Sequence, residues 1–327
     1  MTSQPCDTRL VTITTQARLH MGFLDLDGGL GRRFGSLGLA LAAPMTRLRL
    51  TWADEVVCLG AERERAAKIA TTLLARFNIP RGLRVEIDEA IPAHSGLGSG
   101  TQLALALAAG LRRLAGLAAD DAEDAAALGR GQRSGIGASL FASGGFVVDG
   151  GRGVLTQVPP LLAHQPFPPD WVIILIEDRS QRGLSDGAER AAFQHLPPFG
   201  AAAAGEACRL LLMQILPGLI EVDIETFGAG VTRLQQMMGA YFADAQGGRF
   251  TSAAVGRAMA ALAAAGAWGT GQSSWGPTGF AFARNQTEAQ TILGQQNVRG
   301  ATKELHVSLV RGHNQGATIV ETSGNGS

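Results

Sequence analysis

The segment from Ser95 to Thr101 has the composition of an anion-binding loop. Three glycines stand at alternate positions directly before an Ala- and Leu-rich helix, which we predict from Thr101 to Leu117. Glycines let the backbone approach a ligand closely, and the unpaired amides at a helix start carry a partial positive charge that suits phosphate. A glycine-rich turn that caps a packed helix is the structural alternative. The predicted phosphate-binding residues are Ser95, Gly96, Gly98, Ser99, Gly100 and Thr101.

This loop differs from the two common nucleotide-binding motifs. A Walker loop ends in Gly-Lys-Ser or Gly-Lys-Thr, whereas the only lysines of the chain are Lys68 and Lys303. The glycine spacing also departs from the Gly-x-Gly-x-x-Gly pattern of dinucleotide sites. The sequence therefore indicates neither of these motifs.

A second group of candidate residues lies near the N-terminus. Arg18 and His20 alternate with apolar residues, so their side chains should share one face of a strand. A cation beside a titratable donor suits a phosphate or a carboxylate. Arg33 follows in a glycine-rich loop from Gly28 to Gly35. A structural histidine and a solvated hairpin tip remain open as alternatives.

The segment from Gly269 to Pro277 is a third candidate, in the second half of the chain. Its backbone amides, its two serines and its indole ring could surround a small aromatic or sugar ligand. A structural turn is the alternative, since Gly-Pro endings are common in loops. The predicted substrate-binding residues here are Gln272, Ser273, Ser274 and Trp275.

Four charged residues, Glu177, Asp178, Arg179 and Glu189, follow a predicted buried strand. Active-site side chains often project from such strand ends. Helix capping and ordinary surface charge are the alternative interpretation, which we favour for Asp178 and Glu189.

The overall composition limits the class of protein. The chain has 327 residues, 46% of them hydrophobic, with 28 basic residues against 28 acidic ones. This balance argues against a disordered or nucleic-acid-coating polypeptide and fits a two-domain enzyme. The three cysteines form no CxxC pair, which favours a reducing cytoplasm. The longest apolar runs fall short of the roughly 20 residues that span a bilayer, so we expect no membrane anchor.

The elements that would position these residues follow from hydrophobic periodicity. In the first half, strands are predicted at Val11–Thr15, Leu37–Leu41, Arg47–Trp52, Leu83–Ile87, Phe146–Val148 and Val154–Val158, and further helices at Glu62–Phe77 and Asp121–Leu128. In the second half, strands are predicted at Val172–Ile176, Gly279–Ala283 and Leu305–Val310, and helices at Ala201–Leu216, Ile224–Ala243, Ser252–Ala265 and Thr287–Gln295. We predict a linker at Pro159–Pro169 and a frayed tail from Glu321 to Ser327.

Two of these motifs resemble a known superfamily. The run Ile91-Pro92 through Gly96-Leu97-Gly98-Ser99 resembles the Pro-x-x-x-Gly-Leu-Gly-Ser signature of GHMP kinases. The segment Gly269–Gly276 falls where that superfamily has its C-terminal glycine motif. The resemblance implies a two-domain α+β fold, with a ribosomal-protein-like N-terminal domain over residues 1–165 and a ferredoxin-like C-terminal domain over residues 166–327.

The chain departs from the kinases at the catalytic position. Many of them carry Ser-Gly-Ile/Val-Asp downstream of the phosphate loop, and this aspartate activates the hydroxyl that receives phosphate. The matching run here is Ser134-Gly135-Ile136-Gly137, and a glycine cannot accept a proton. Gly100 also replaces the second serine of the usual Gly-Leu-Gly-Ser-Ser. The sequence therefore argues against phosphoryl transfer from ATP.

Four segments in order resemble one atypical branch, the β-ribofuranosylaminobenzene 5′-phosphate synthases of methanopterin biosynthesis. They are Arg18-Leu19-His20-x-Gly22 with Asp25, Gly31–Gly35 with Gly38–Leu41, Ser134–Gly137, and Gly271–Pro277. The resemblance implies a decarboxylating pentosyltransferase. Such an enzyme joins 4-aminobenzoate or 4-hydroxybenzoate to 5-phosphoribosyl 1-diphosphate and releases carbon dioxide and diphosphate.

The resemblance also suggests roles for individual residues. Arg18 and His20 would hold diphosphate or carboxylate, and Asp25 would help to seat a Mg²⁺ ion. Arg33 and the residues from Gln272 to Trp275 would contact the substrates. We expect small-molecule substrates, no nucleic-acid or membrane partner, a cytoplasmic location and a homodimer.

Two rival functions remain open. One is a small-molecule kinase of the same superfamily that uses Asp25 or Asp149 as a substitute base. The other is a superfamily member without catalysis that acts by binding ligands or proteins.

Overall fold

The computed structural model describes residues 9–183 and 196–323. Within these ranges, the helices and strands form two α+β units, each built on its own β-sheet. This architecture confirms the predicted α+β class.

The first sheet is built around two long strands. Its members are β1 (Arg9–Asp25), β2 (Phe34–Ala53), β3 (Val57–Gly60), β4 (Gly82–Glu89), β5 (Phe146–Asp149), β6 (Leu161–Gln165) and β11 (Thr318–Ser323). The main path runs β11-β1-β2-β4-β3, while β5 pairs with the first part of β2 and β6 pairs with β5. Neighbouring strands are antiparallel except for β3 and β4.

Three helices pack on this sheet, namely α1 (Arg63–Arg76), α2 (Ser99–Ala115) and α4 (Ile136–Ser143), and α3 (Asp121–Ala127) packs on α2 and α4. The small residues of α2 let it pack closely on β1 and β2. A Cβ built at Gly110 would lie only 2.4 Å from Ile13 Cδ1, so a side chain there would push the helix off the sheet. This close packing holds α2 against β1.

The second sheet has the order β10-β7-β9-β8 and is antiparallel throughout. Its strands are β7 (Val172–Glu177), β8 (Trp268–Gln272), β9 (Thr278–Ala283) and β10 (His306–Arg311). The accompanying helices are α5 (Ala201–Leu210), a π-helical turn (Leu211–Ile215), α6 (Leu216–Ile220), α7 (Ile224–Gln246), α8 (Ala253–Ala264), α9 (Gln286–Gly294) and α10 (Gln296–Thr302).

The two halves share one hydrophobic core. Burial along β1 alternates up to Arg18 and then becomes continuous from Leu19 to Leu24. The change occurs where α5 and α7 of the second half pack against β1. Strand β11, near the other end of the chain, pairs with β1. The boundary predicted between residues 165 and 166 therefore separates most elements of the two sheets, but not β11.

Several predicted elements were wrong. Val154–Val158 is a loop, and Val154 and Leu155 are almost fully exposed. The strand that pairs with β5 is β6, inside the stretch predicted as a linker. Because β6 lies at a sheet edge with its side chains largely exposed, it lacks the apolar alternation that would have revealed it. The predicted frayed tail likewise begins inside β11.

One helical segment, Ala201–Ile220, is long and apolar enough by length and composition to cross a membrane. It packs against β1 and α7, as a surface helix of this fold does. The expectation of no membrane partner stays a prediction.

Candidate active site

The glycine loop is held against β1 by both backbone and side chain. Arg18 N donates to Leu97 O at 3.0 Å, and Arg18 Nη1 donates to Gly96 O at 3.1 Å. Gly98, at φ 84°, precedes α2, and a Cβ there would lie 2.8 Å from Arg18 Cγ. The arginine side chain therefore lies directly on the loop, and only glycine fits beneath it.

His20 is buried and electrically neutral. Its Nδ1 accepts a hydrogen bond from Gly22 N at 3.3 Å. Burial, reinforced by the charges of Arg18 and Arg133, lowers the pKa of His20 to about 3. Because Nδ1 is the acceptor, the neutral ring carries its proton on Nε2. His20 is thus a fixed hydrogen-bond donor near neutral pH.

The loop between β8 and β9 joins the two halves at this point. Ser273 Oγ donates to Gly96 O at 2.8 Å and accepts from His20 N at 3.1 Å, while Ser274 N donates to His20 O at 3.2 Å. Ser273 is completely buried. Its hydroxyl is committed to these bonds, so Ser273 positions the glycine loop and His20.

A cationic cavity of about 370 Å³ opens beside this junction. Its lining residues are Arg18, His20, Phe23, Thr101, Leu128, Gly129, Arg130, Gly131, Gln132, Arg133, Ser134 and Ser274. Three of them are arginines, and none of these described residues is acidic. Such a cavity suits a polyanion such as a diphosphate.

Sequence reasoning missed Arg130 and Arg133. Both lie in the glycine-rich segment that leads to Ser134-Gly135. The available signal was the presence of two arginines among glycines, directly before the Ser134–Gly137 run that matches a kinase motif. The predicted pairing of Arg18 with His20 on one strand face agrees with the structure, because both line this cavity.

A narrow aromatic cavity of about 40 Å³ adjoins the cationic one, since His20, Phe23 and Ser274 line both. Its complete lining is His20, Gly22, Phe23, Gln235, Met238, Gly239, Phe242, Gln246, Arg249, Phe250, Gln272, Ser274 and Trp275. The predicted residues Gln272, Ser274 and Trp275 thus come together with Arg18 and His20.

Gln272 and Trp275 are constrained by their neighbours. Gln272 Oε1 accepts from Thr251 N at 2.7 Å, and its Nε2 donates to Ser274 O at 2.9 Å. The Trp275 ring packs on Phe242, with 4.5 Å between the ring centroids. Gln272 therefore braces the loop, while Trp275 forms a wall of the aromatic cavity.

Among the six predicted phosphate-binding residues, Thr101 lines the cationic cavity. Ser95 Oγ instead donates to Pro92 O at 2.8 Å, and a Cβ at Gly100 would lie 2.8 Å from Arg65 Nη2. The remaining glycines shape the loop, and Ser99 begins α2. Phosphate binding by this set stays a prediction.

Asp25 and Arg33 line neither cavity. Asp25 Oδ1 accepts from Asp27 N at 2.8 Å and Gly28 N at 2.9 Å, which stabilises the turn after β1. Arg33 Nε donates to Leu26 O at 2.9 Å. The described residues contain no group of three or more His, Cys, Asp or Glu that could hold a metal ion. The role of Asp25 as a Mg²⁺ ligand stays a prediction.

The position of the kinase aspartate is packed tightly against the side chain of Thr101. Gly137 lies in the first turn of α4, and a Cβ there would be 2.9 Å from Thr101 Cγ2. Gln102 Nε2 also donates to Gly137 O at 3.0 Å. Adding the aspartate would therefore require the side chain of Thr101 to turn or shift.

Asp149 is a buried structural carboxylate. It accepts hydrogen bonds from Ser36 and Ser134, from Gly135 N at 2.9 Å and from Gly151 N at 2.8 Å. Burial raises its pKa despite these bonds. Asp149 lines neither cavity. Its hydrogen bonds hold the start of α4 in place, so its role is structural.

The charges after β7 also have structural partners. Asp178 accepts from Ser180 Oγ and Ser252 Oγ, both at 2.6 Å, and Arg179 pairs with Glu177 at 3.5 Å. Glu189 lies outside the described residues.

Comparison with known proteins identifies the superfamily. The GHMP kinases N terminal domain matches residues 64–145, and the GHMP kinases C terminal domain matches residues 215–295. Homoserine kinase from Cytophaga hutchinsonii aligns with a TM-score of 0.67 at 17% identity, covering 98% of this chain and 100% of that one. Mevalonate diphosphate decarboxylase from Enterococcus faecalis aligns with a TM-score of 0.68 at 16% identity, covering 96% and 100%. At these identities the solved structures establish the fold alone.

Relatives of similar sequence show to which family of this superfamily the chain belongs. The protein named beta-ribofuranosylphenol 5′-phosphate synthase from Methanothermobacter thermautotrophicus is 30% identical over 94% of this chain and 98% of its own length. Its namesake from Archaeoglobus fulgidus is 34% identical over 70% of this chain and 76% of its own length. This chain therefore belongs to the beta-ribofuranosylphenol 5′-phosphate synthase family, within the GHMP kinase superfamily.

Proposed function

We propose that this protein joins 4-hydroxybenzoate or 4-aminobenzoate to 5-phosphoribosyl 1-diphosphate in tetrahydromethanopterin biosynthesis, releasing carbon dioxide and diphosphate. The observation that carries the proposal is the cationic cavity, which has three arginines and no acidic residue in its described lining. This cavity adjoins an aromatic one. A phosphorylated sugar and an aromatic acid can thus meet at their shared rim.

A kinase activity is not favoured by this geometry. Phosphoryl transfer to an alcohol is helped by a carboxylate that accepts the hydroxyl proton. Gly137 offers none, and Asp149 is enclosed by its own hydrogen bonds. The names of the family members in two archaea also indicate synthases.

The residues of the cationic cavity would act on the leaving group. Departure of diphosphate leaves an oxocarbenium-like ribosyl centre, so catalysis rests on charge neutralisation and positioning. Arg18, Arg130 and Arg133 neutralise the diphosphate, and the fixed Nε2–H of His20 donates to an oxygen at the rim. The roles of Arg18 and His20 are predicted from the sequence and supported by the cavity that both line, whereas those of Arg130 and Arg133 rest on the structure alone.

The aromatic acid would be the nucleophile. Its carboxylate-bearing carbon attacks the anomeric carbon as the bond to diphosphate breaks, and the diphosphate leaves with the electron pair. Loss of carbon dioxide then returns the electrons of the carbon–carbon bond to the ring. This step restores aromaticity without a strong protein base, in agreement with the lack of a carboxylate in the described lining of the cavity.

The cellular setting is also part of the proposal. We place this enzyme in the cytoplasm, as a homodimer that acts on small molecules and uses Mg²⁺ as a counter-ion of the substrate diphosphate. Mg²⁺ commonly binds to substrate phosphates with few protein ligands, so a dedicated metal site is unnecessary.

Release of labelled carbon dioxide tests the proposed reaction. Purified protein is incubated with carboxyl-labelled 4-hydroxybenzoate or 4-aminobenzoate, 5-phosphoribosyl 1-diphosphate and Mg²⁺. We expect release with the wild type and a fall of about 10- to 100-fold in kcat/KM for Arg133→Gln, since a hydrogen bond to a charged group contributes about 1.5–3 kcal/mol. Arg18→Ala and His20→Ala should abolish product formation.

Arg84→Gln is the matched control, because Arg84 is an exposed residue paired with Glu86 on β4. It should retain wild-type activity. Phosphorylation of a sugar or an isoprenoid alcohol with ATP, without carbon dioxide release from either acid, would contradict the proposal.

A further inference from the structure

We propose that Arg152 is a positioning residue for the diphosphate group, acting through the loop that carries Arg130 and Arg133. We call this loop, residues 129–133, the arginine loop. The role of Arg152 rests on the proposed function and deepens it, because it explains how two arginines outside any helix or strand are held at the cavity.

The arginine loop has no regular secondary structure to hold it. All five of its residues line the cationic cavity, and none of them belongs to a helix or a strand. Gly129 and Gly131 have φ angles of 66° and 81°, in the region that favours glycine. Because glycine loses more conformational freedom on ordering than other residues, the loop needs contacts from outside to stay in one conformation.

Arg152 supplies such a contact. Its Nη1 donates to Gln132 O at 2.9 Å, while its Nε and Nη2 donate to Thr156 O at 3.2 and 2.9 Å. A guanidinium is planar and its donors are fixed relative to one another, so these bonds together hold the Gln132 carbonyl group in place. Gln132 stands directly before Arg133, whereas Arg152 is absent from the lining of the cavity. Arg152 therefore acts through the arginine loop.

The backbone of Arg152 is itself anchored to the first sheet. Arg33 N donates to Arg152 O at 2.9 Å, and Arg152 N donates to Arg33 O at 2.8 Å, directly before β2. Gly151 has φ 62°, and a Cβ there would lie 2.3 Å from Arg33 O, so glycine permits this bridge. Gly151 N also donates to Asp149 Oδ1 at 2.8 Å. The guanidinium thus extends from a backbone that is fixed on both sides.

The chain after Arg152 also packs against the arginine loop. A Cβ built at Gly131 would lie 3.6 Å from Pro159 Cδ, and one at Gly135 would lie 2.9 Å from Pro159 O. Gly135 N donates to Asp149 Oδ2 at 2.9 Å. The end of the loop is thus fixed at the start of α4, whereas Arg152 holds a carbonyl group within the loop.

This arrangement should affect one substrate and not the other. Two guanidinium groups bind a diphosphate most strongly when their loop is already ordered, since a mobile loop loses conformational freedom on binding. No residue of the arginine loop lines the aromatic cavity. Removal of the Arg152 guanidinium should therefore weaken binding of the diphosphate group and leave binding of the aromatic acid unchanged.

The kinetics of Arg152→Gln test this role. We expect the Michaelis constant for 5-phosphoribosyl 1-diphosphate to rise about 10-fold, the lower end of the effect of losing a hydrogen bond from a charged group. The Michaelis constant for the aromatic acid should not change. Arg152→Lys keeps one donor and should recover part of the affinity. A fall in kcat with both Michaelis constants unchanged would indicate a merely structural role and overturn the proposal.

A double-mutant cycle tests whether Arg152 acts through its neighbour. When Arg133 is already replaced by Gln, Arg152→Gln should raise the Michaelis constant for the phosphoribosyl substrate by less than about threefold, because the two residues act as one unit. A full and independent effect would contradict this coupling. Arg311→Gln is the matched control, since Arg311 is exposed on β10, donates to a backbone oxygen of Pro169 and lines neither cavity. It should leave both Michaelis constants unchanged.

Calorimetric titration of inorganic diphosphate separates this role from the proposed reaction. The wild type should bind diphosphate, and Arg152→Gln should bind it about 10-fold more weakly. Weaker binding by the variant, without carbon dioxide release by the wild type, would sustain the role of Arg152 and refute the reaction. Normal turnover by the wild type, with equal diphosphate affinity in the two proteins, would refute the role of Arg152 and sustain the reaction. Thermal unfolding of Arg152→Gln and Arg152→Lys checks that both variants are folded during the assays.

Discussion

His20 shows how strongly one side chain can be specified by its surroundings. Its ring packs 4.7 Å from Phe23, its Nδ1 accepts the Gly22 amide, and its backbone binds the loop that contains Ser273 and Ser274. Arg18 and Arg133 add positive charge nearby. Burial and the two arginine charges favour the neutral imidazole, so we expect His20 to act as a donor and not as a proton shuttle.

The neutral state of His20 predicts a pH dependence of stability. The pKa is about 3 in the folded protein and near 6.5 when unfolded, so between these values only the unfolded chain binds the proton. The free energy of unfolding should therefore decrease as pH falls from 6.5, by about 1.4 kcal/mol per pH unit from this group. Urea titrations of wild type and His20→Gln at pH 6.5 and 5 measure the contribution. If the free energy of unfolding changes equally between pH 6.5 and pH 5 in the two proteins, His20 does not titrate in this way.

Asp25 is expected to contribute mainly to the turn after β1. Asp25→Ala removes the acceptor of two amide hydrogen bonds and should lower the free energy of unfolding by about 1–2 kcal/mol. Asp25→Asn keeps a carbonyl oxygen for the same amides and should retain most of that stability. Chemical denaturation distinguishes them, and equal stability of both variants would contradict the turn role.

The same pair tests the predicted Mg²⁺ ligand. Because Asp25→Asn keeps the turn but removes the charge, a higher Mg²⁺ requirement in this variant would support Asp25 as a ligand. An unchanged requirement would remove it from the metal hypothesis.

At the scale of elements, the site is assembled where β1, the start of α2 and the β8–β9 loop meet. Gly96 is one of the two tightest points of this contact, together with Gly276. It has φ 83°, and a Cβ there would lie 2.3 Å from Ser273 O. The contact joins backbone to backbone, so no side chain can move aside to relieve it.

Gly96→Ala should accordingly destabilise the protein and reduce activity. We expect a loss of about 2–4 kcal/mol, since left-handed strain adds to the steric clash. Gly205→Ala is the control, because a Cβ in that part of α5 meets nothing within 4 Å and alanine favours helix. Thermal unfolding of both variants gives the comparison. A Gly96→Ala protein as stable as the wild type would show that the loops can separate without cost.

The sequence predicted the elements that have a clear apolar signal and missed those defined by their partners. Strand β4 alternates between buried and more exposed residues, whereas β7 and β9 are short apolar runs buried at every position. Strand β8 lacks such a signal, because Gly269 and Gly271 make room for Phe282 and Gln235 respectively. Arg130 and Arg133 were missed for a related reason. They precede α4 in a loop without periodicity, and only the fold brings them to Arg18.

At the scale of the molecule, one core extends through both halves. Leu19, Met21 and Phe23 of β1 belong to the same buried cluster as Phe227, Leu234 and Met238 of α7. Neither half can separate without exposing these residues to water. The chain keeps the GHMP kinase fold although Gly137 stands at the position of the kinase aspartate. A fold of this kind does not determine the reaction by itself, because the chemistry depends on the residues of the cleft.

The shared core predicts cooperative unfolding. We expect a single calorimetric transition, with equal calorimetric and van't Hoff enthalpies, and coincident loss of tryptophan fluorescence and helical circular dichroism. A fragment cut at residue 165 should not give a native-like spectrum. Two resolved transitions, or a folded fragment, would indicate independent domains.

Strand β11 has a consequence for folding during synthesis. It covers the edge of β1, but the ribosome makes the whole second half of the chain after β1 and before β11. At about 5–20 residues per second, the ribosome needs roughly ten to thirty seconds to make that half. Throughout this interval the nascent first sheet presents an unpaired strand edge. Protection of that edge by a chaperone, or rapid completion of translation, should therefore determine how much active protein a cell obtains.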